Sequence, residues 1–340
     1  MRSLLRVLVA TSFVLVVVAL VAAWLISRDF EQRMAAPVFV PEQHRLFTIG
    51  RGEPFKAVAA RLAAIGVFDR PLYLRFEARR TGVDGQLQAG EYYLDDSASI
   101  REVIEKFVRG EVLSYAITLI EGQTVKQYLA QLSSAEALRH ELQGVTPATL
   151  LAQLELGEGH AEGRFLPETY RHTRDTSDAD LLLRAYRMME ETLAEEWAAR
   201  APDLPYESAY DALIMASIIE KETGLAAERA KIAGVFVRRL RRGVRLQTDP
   251  TVIYGLGESF DGNLRRADLQ RDTPYNTYTR SGLPPTPIAS AGRAAIHAAL
   301  HPAAGKALYF VARGDGSHQF SATLAEHNKA VRKYQLGGGR

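Results

Sequence analysis

The chain has 340 residues, contains no cysteine, and carries 42 basic against 40 acidic side chains. Without thiols it cannot use a disulfide framework, a cysteine nucleophile or a cysteine-ligated metal centre. A formal net charge of +2 creates no strong field for nucleic acid, so we expect no nucleic-acid partner. The hydrophobic fraction of 47% excludes wholesale disorder. At about 100–200 residues per domain, the length predicts two or three units.

Residues 7–26 form an uncharged apolar run near the N-terminus. A helix of about 20 such residues spans the roughly 30 Å of hydrocarbon in a bilayer. Arg2 and Arg6 precede the run, so the positive-inside rule leaves the N-terminus in the cytoplasm and the body outside. A cleaved signal peptide is the alternative, but its apolar region is only about 7–15 residues long. We therefore predict a single-pass anchor within 1–28 that contacts the lipid bilayer through 7–26.

A polar, proline-marked connector is predicted for residues 29–45, and a small α/β unit for 46–112. The elements expected in this unit are a strand at 46–49, helices at 55–65 and 71–80, a strand at 89–94 and a helix that begins after Ser99. Ser99 and Glu102 have the spacing of a capping box, in which each side chain bonds the other residue's backbone N–H.

The remainder, 113–340, is predicted to be mostly helical, which makes the fold class α+β. Helices are expected near 124–133, 147–155, 178–199, 208–223, 226–242, 292–300 and after Thr323. Residues 246–290 are predicted to be a long loop, rich in Pro, Gly, Asn and Tyr. Leu308–Ala312 and His318–Phe320 are predicted to form a C-terminal hairpin.

The predicted helix 208–223 is apolar nearly all round, which is typical of a buried helix. Glu220 and Glu222 lie in its last turn, and two steps of about 100° place them on opposite sides. Burial and the negative end of the helix dipole both disfavour the ionised carboxylate, so they raise its pKa as a general acid requires. A solvated helix end with local ion pairs is the alternative.

The predicted loop 246–290 combines tyrosines with amide and hydroxyl side chains. A loop of this length in a compact domain is usually functional or disordered, and this composition is not typical of disorder. Aromatic rings stack on sugar faces while amides bond hydroxyl and acetamido groups, so the composition favours a sugar-binding groove. A rigid loop packed on the helices by its tyrosines is the alternative.

Two other side-chain groups are weaker candidates. His297 and His301 have i,i+4 spacing but lack the Glu of an H-E-x-x-H motif, and Pro302 follows at once, so we predict no metal site. A basic run at the end of helix 226–242 is typical of a solvated cationic helix end, with contact to an anionic polymer or to lipid headgroups as the alternative. Its residues are Arg238, Arg239, Arg241, Arg242 and Arg245.

Several long motifs carry a family resemblance. They are Glu162-Gly163 with Phe165, Pro167 and Tyr170, Ala216–Thr223, Leu246–Gly255, Tyr275–Tyr278, Gly282–Pro285, and His301-Pro302. Together they resemble the endolytic murein transglycosylases of the MltG (YceG-like) family, and the likeness spans nearly the whole chain. Residues 46–110 resemble the family's LysM-like subdomain, most clearly at Ala89–Tyr92. The departures are minor, at Leu166 and Glu168, and affect no catalytic position.

The resemblance implies a mechanism and a location. Glu220 matches the family's catalytic glutamate, which would protonate the glycosidic oxygen between N-acetylmuramic acid and N-acetylglucosamine. It would then act as a base on the muramyl 6-hydroxyl, which closes on C1 and leaves a 1,6-anhydro end. Because water is not consumed, one carboxylate suffices, whereas ordinary glycoside hydrolysis needs two. Substrate contacts are expected from Gln247, Thr248, Asp249, Tyr254, Asn276 and Tyr278.

The resemblance also implies peptidoglycan glycan strands as substrate, a bacterial inner-membrane location with a periplasmic body, and a role in terminating glycan elongation. Penicillin-binding synthases are possible partners, and no cofactor is expected. A muramidase-type hydrolase is one alternative function. A non-catalytic peptidoglycan-binding scaffold for synthases is the other.

Overall fold

A computed structural model describes residues 2–337. Within these residues the chain is a mixed α/β protein that separates into two compact units, with the division between Tyr115 and Ala116. The strands of residues 2–337 pair two by two in four small sheets. The hydrophobic cores are therefore built mainly from helices.

The first unit contains four helices and two strands. In chain order these are α1 (Arg2–Ala35), β1 (Leu46–Ile49), α2 (Phe55–Ala64), α3 (Pro71–Thr81), β2 (Gly90–Tyr93) and α4 (Ile100–Arg109). β1 and β2 are antiparallel, with Leu46 opposite Tyr93 and Ile49 opposite Gly90. The capping box predicted at Ser99 and Glu102 is confirmed at the start of α4.

Helix α1 is the one helix within residues 2–337 that is long and apolar enough to cross a membrane. Its residues 6–28 are exposed. The helix continues to Ala35, into the segment predicted to be a connector, because Phe30 and Met34 are buried in the core of the first unit. Val38 and Val40 extend the same contact. The first part of the predicted connector therefore differs from the expectation and belongs to a packed core.

The second unit begins within β3, and its helices and strands alternate irregularly. They are β3 (Tyr115–Thr118), α5 (Val125–Ser133), β4 (Leu138–Arg139), α6 (Leu150–Gln153), β5 (Thr169–His172), β6 (Thr176–Ser177), α7 (Asp178–Ala198), α8 (Ala209–Glu222), α9 (Ala226–Arg241), α10 (Asp249–Leu256), α11 (Arg266–Gln270), α12 (Arg293–Leu300), β7 (Tyr309–Ala312), β8 (His318–Ser321) and α13 (Leu324–Val331). β3 pairs with β5, β4 lies parallel to β6, and β7 lies antiparallel to β8.

Helix α8 lies at the centre of the larger core of this unit. All residues from Ala212 to Ile219 are buried, and the helix packs against α7, α9 and α12. Ser208 and Asp211 form the predicted capping box at its start, which satisfies backbone N–H groups that have no partner inside the helix. This buried helix carries Glu220 and Glu222 in its last turn.

The prediction that residues 246–290 form one long loop is wrong in part. The segment contains α10 and α11, joined and followed by irregular backbone. Helix α10 begins with Asp249 and Pro250, an acidic residue and a proline in the first turn, which both favour a helix start. The aromatic and proline content obscured this short helix in the sequence pattern.

Candidate active site

Glu220 lies at the end of α8 with its side chain only 6% exposed. Its Oε2 accepts a hydrogen bond from the backbone N–H of Gly292 at 3.0 Å. Its Oε1 lies 3.5 Å from Nη2 of Arg229 on α9. Burial raises the pKa of Glu220, and the nearby Glu121 carboxylate raises it further, while the Gly292 N–H and Arg229 act in the opposite direction. The net effect is a raised pKa, so the Glu220 carboxyl holds its proton more tightly than a glutamate in water.

Two glycines allow the backbone to approach this carboxyl closely. A Cβ on Gly292 would lie 2.0 Å from Oε1 of Glu121, so a side chain there would displace Glu121. Gly122 adopts a positive φ of 74°, and a Cβ on it would contact the side chains of both Glu220 and Lys221. The Gly122 N–H donates to the Ser290 carbonyl at 2.8 Å, and the Ser290 N–H donates to the Gln123 carbonyl at 2.8 Å. The turn before α5 and the turn before α12 therefore meet beside Glu220.

Glu222 faces a different part of the unit, as the helical geometry predicts. Its Oε1 accepts a hydrogen bond from the hydroxyl of Thr248. Burial raises the pKa of Glu222 to about 7, with the Thr248 hydroxyl acting against this and Asp249 adding to it. Tyr278 donates its hydroxyl to Oδ1 of Asp249 at 2.6 Å. These contacts tie the end of α8 to the start of α10.

A cleft of about 920 Å³ lies next to the end of α8, where Lys221 forms part of its lining. Its walls come from α5, the 146–148 and 160–162 segments, α10 and Tyr275. Tyr254 and Tyr275 form an edge-to-face pair in the wall, with ring centroids 4.9 Å apart. Lys221 contributes to this cleft, whereas the neighbouring Glu220 is directed toward Arg229 and Gly292. Glu220 therefore lies beside the cleft, next to the turn at Gly122.

Glu162 is a second buried carboxyl, and it lines the cleft directly. Oε1 accepts from the Val125 N–H at 3.0 Å, and Oε2 accepts from the hydroxyl of Tyr254 at 3.1 Å. Burial raises the pKa of Glu162 to about 7, against the opposing effect of these donors and of the Gly163 N–H. Glu162 thus links the start of α5 to α10, the two sides of the cleft.

The residues predicted to contact substrate occupy different environments. Of the six, Tyr254 lines the cleft. Thr248 and Asn276 are buried, at 2% and 1% exposure, and their polar atoms form hydrogen bonds with other residues of the chain. The amide of Asn276 donates to the carbonyls of Asp268, Leu269 and Arg271 and accepts from the Tyr278 N–H. Both residues hold the 246–290 segment in shape.

The remaining three predicted contacts lie at the start of α10 and around it. Gln247 is exposed and adopts a positive φ of 51°, and its Oε1 lies 3.5 Å from Nη1 of Arg239. Asp249 and Tyr278 bond each other, as described above. Burial raises the pKa of Tyr278, so its hydroxyl remains a donor to Asp249. The Tyr278–Asp249 bond therefore lies within the 246–290 segment and holds the start of α10.

A second depression, of about 590 Å³, lies on the Arg229 side of Glu220. Glu196, His297 and His301 meet there, with ligand atoms within 4.8 Å of one another, and are a group among residues 2–337 that could hold a metal ion. Nδ1 of His297 lies 2.8 Å from Glu196 Oε2, and both ring nitrogens of His301 face backbone carbonyls. A metal ion would have to displace these contacts.

The comparisons with known proteins support one family. A family model described as YceG-like matches residues 47–333, most of the chain. The chain belongs to the YceG-like family.

Named relatives and a solved structure extend this YceG-like match. The chain is 33% identical over 304 residues to the endolytic murein transglycosylase of Bacillus subtilis (strain 168), covering 84% of this chain and 83% of that protein. It is 26% identical over 321 residues to the protein of the same name from Streptococcus pneumoniae serotype 2 (strain D39 / NCTC 7466), covering 84% of this chain and 57% of that protein. A crystal structure of a YceG-like protein from Listeria monocytogenes matches with a TM-score of 0.52 and 29% identity, over 84% of this chain and 98% of that one.

Three residues of this YceG-like site were not singled out as site residues from the sequence. Glu162 appears there only as part of a motif, and its neighbours Gly163 and Phe165 indicate an ordered loop rather than a buried acid. Gly292 and Arg229 carry no local signal, because they reach Glu220 only when α9, α12 and α8 pack together. The Glu220 motif itself was the one clear sequence signal.

Proposed function

We propose that this YceG-like chain is a membrane-anchored endolytic murein transglycosylase, a lyase that cleaves the glycan strands of peptidoglycan. Relatives of that name align over 84% of the chain. The observation that carries the proposal is the buried carboxyl of Glu220, in the motif that resembles the family's catalytic segment. Its raised pKa suits a group that must begin the reaction protonated.

The proposed reaction uses Glu220 twice. As a general acid, it gives its proton to the glycosidic oxygen between N-acetylmuramic acid and N-acetylglucosamine. As a base, the resulting carboxylate takes the proton of the muramyl 6-hydroxyl, whose oxygen closes on C1 to leave a 1,6-anhydro end. The Gly292 N–H and Arg229 can stabilise the carboxylate between the two steps, since both lie within 3.5 Å of its oxygens.

The cleft beside Glu220 is the proposed binding site for the glycan strand. Its volume of about 920 Å³ is near the upper end for small-ligand sites and suits several sugar rings. Tyr254 and Tyr275 supply aromatic faces for stacking. The strand would run along this cleft and pass the Gly122 turn to reach Glu220. Glu162 would keep the two walls in register through its bonds to Val125 and Tyr254.

The remaining proposals concern location. We expect α1 to cross the bacterial inner membrane with the N-terminus in the cytoplasm and the body in the periplasm. The first unit would act as a LysM-like module that holds nascent glycan at a fixed height, so that cleavage ends strand elongation. Penicillin-binding synthases are the expected partners. The exposed apolar residues 7–26 of α1 support the anchor, and Arg2 and Arg6 before them support its direction.

The test is digestion of purified glycan strands by the full-length enzyme in lipid nanodiscs, with mass analysis of the product ends. The wild type is expected to leave 1,6-anhydro ends. Glu220→Gln is expected to lose activity by about 10²–10⁴-fold, the usual contribution of a general acid–base group. Glu222→Gln is the matched control, because its carboxyl faces Thr248, and it is expected to keep most of the activity.

Each alternative function has its own outcome in this experiment. Reducing ends without the anhydro sugar would identify a muramidase-type hydrolase. Unchanged digestion by Glu220→Gln would remove the catalytic role of this residue. Strand binding without cleavage by the wild type would favour a scaffold. Thermal melting of both variants separates a lost catalytic group from a lost fold.

A further inference from the structure

Helix α3 presents an exposed apolar pair next to arginines. Leu72 and Phe76 are 69% and 58% exposed and lie one helical turn apart. Arg75 and Arg79 stand on the same stretch, three residues after each of them. Single exposed apolar residues need no explanation, but an adjacent pair on one helix face indicates a contact surface.

The position of α3 is set by its contact with the end of α1. The ring of Phe30 on α1 packs edge-on against Tyr73 and Phe76, with centroid distances of 5.3 and 5.4 Å. The hydroxyl of Tyr73 donates to Oδ2 of Asp29 at 2.8 Å. Because α1 is one continuous helix, these contacts attach α3 rigidly to the segment that follows the apolar run.

The height of Phe76 above the hydrocarbon follows from helix geometry. The apolar run ends at Ile26, and Phe30 lies four residues later, a rise of about 6 Å at 1.5 Å per residue. The polar headgroup layer adds roughly 5–7 Å on each side of the hydrocarbon. A ring in contact with Phe30 therefore lies at the depth of the headgroups when residues 7–26 span the bilayer.

The exposed charges on α3 itself are of the sign that binds anionic lipid. Arg79 is exposed and Arg75 partly exposed. The one acidic residue on α3, Glu77, is 2% exposed and is held by Arg80 and Arg101 at 2.7 and 2.8 Å. Asp69, just before α3, is exposed and pairs with Arg33 and Arg70, so the helix itself exposes apolar residues, cationic side chains and Thr81 but no acidic group. This combination is typical of helices that lie in the membrane interface.

We propose that α3 is an interfacial membrane-contact helix, with Leu72 and Phe76 inserted among the lipid headgroups and Arg75 and Arg79 bound to anionic phospholipid. The inference rests on the proposed membrane span of α1. The contact of α3 with the membrane, in addition to the span of α1, fixes the tilt of the first unit on the bilayer as well as its height.

The absence of cysteine makes the test direct, because one introduced cysteine gives one label. Full-length Leu72→Cys and Phe76→Cys variants carry an environment-sensitive fluorophore in vesicles that contain lipid with a spin-labelled headgroup. Leu46→Cys is the matched control, an exposed apolar position (53%) on β1 of the same unit. Trp24→Cys reports whether α1 itself is inserted.

The expected result is severalfold stronger quenching at positions 72 and 76 than at 46, in vesicles of phosphatidylcholine with phosphatidylglycerol. The Arg75→Gln/Arg79→Gln double variant is expected to lose much of this difference. Quenching at 72 and 76 no greater than at 46, with position 24 quenched, would overturn the proposal. No quenching at position 24 would instead show that α1 does not span the membrane. The proposed contact of α3 with the membrane, which rests on that span, would then fail as well.

Discussion

Two buried carboxyls, Glu220 and Glu162, illustrate how local surroundings decide a residue's role. Glu220 has one backbone donor and a guanidinium 3.5 Å away, so its carboxyl retains capacity to exchange a proton with a substrate. Glu162 is surrounded by donors from Val125, Gly163 and Tyr254, so its oxygens are already engaged. Burial raises both pKa values. The first arrangement suits catalysis, and the second suits a support between the two walls of the cleft.

The raised pKa of Glu162 predicts a pH-dependent stability. Since its folded pKa is about 7 and its ordinary value is 4.5, the folded state holds the proton more tightly than the unfolded state. Its contribution is fully present below pH 4.5 and is lost as the pH rises through 7. Glu162→Gln removes this titration, so the stability of the wild type relative to the variant should fall by about 1–3 kcal/mol between pH 4.5 and 8.

The measurement for Glu162 is denaturant unfolding of both full-length proteins in the same detergent at several pH values. Glu158→Gln provides the control, because Glu158 is an exposed residue of the same loop. Parallel pH profiles for the wild type and Glu162→Gln would show that Glu162 does not titrate in this range. The decisive result is the sign of the change with pH in the difference in unfolding free energy between the wild type and Glu162→Gln. The size of this change depends on how the three donors around Glu162 rearrange.

At the scale of elements, the site depends on loops that pack tightly on each other. Gly163 follows Glu162 with a positive φ of 75°, and a Cβ there would lie 2.5 Å from Cβ of Pro287. A proline ring cannot rotate away as a flexible side chain would. The loop that carries Glu162 therefore meets the segment before α12 only because residue 163 has no side chain.

A pair of glycine substitutions tests this packing. Gly157→Ala introduces a side chain at a φ of 87° with open space around it, and should cost about 1 kcal/mol from the backbone conformation alone. Gly163→Ala carries the same conformational cost plus a clash with Pro287, and should lose a further ~1–3 kcal/mol. Thermal unfolding of both variants measures the difference, and equal losses would show that Pro287 can move aside.

At the scale of the whole molecule, the long apolar helix α1, the candidate membrane span, is joined rigidly to the core of the first unit. Helix α1 continues without interruption from the exposed residues 6–28 into the core at Phe30 and Met34. A flexible tether would let the unit move far from the bilayer, whereas a continuous helix fixes its distance. The expected orientation places this unit and the rest of the body outside the cytoplasm.

Reporter fusions at the C-terminus test that orientation. Alkaline phosphatase, which is active only outside the cytoplasm, should be active when fused after Arg340. A green fluorescent protein that folds only in the cytoplasm should stay dark in the same position. The reverse pair of results would place the body in the cytoplasm and contradict the proposed access to peptidoglycan.

Much of the local structure could be predicted because its signals lie close together in sequence. The capping boxes at Ser99 and Ser208 involve side chains three residues apart, and the structure confirms both. The apolar run 7–26 needs only composition and length to predict a spanning helix. The segment around Glu220 identified the family because its residues are contiguous.

Long-range packing decided what the sequence alone could not. Gly292, just before α12, and Arg229 on α9 both reach Glu220, and Glu162 meets Tyr254 across 92 positions of the chain. Thr248 and Asn276 have the side chains of a sugar-binding groove, yet burial turns them inward. Such contacts depend on which helix faces meet, and many pairings satisfy the same periodicity. The sequence alone therefore determined the long apolar helix α1, the capping boxes at Ser99 and Ser208 and the family, whereas only the tertiary structure decided which polar groups surround Glu220 and which remain available to a substrate.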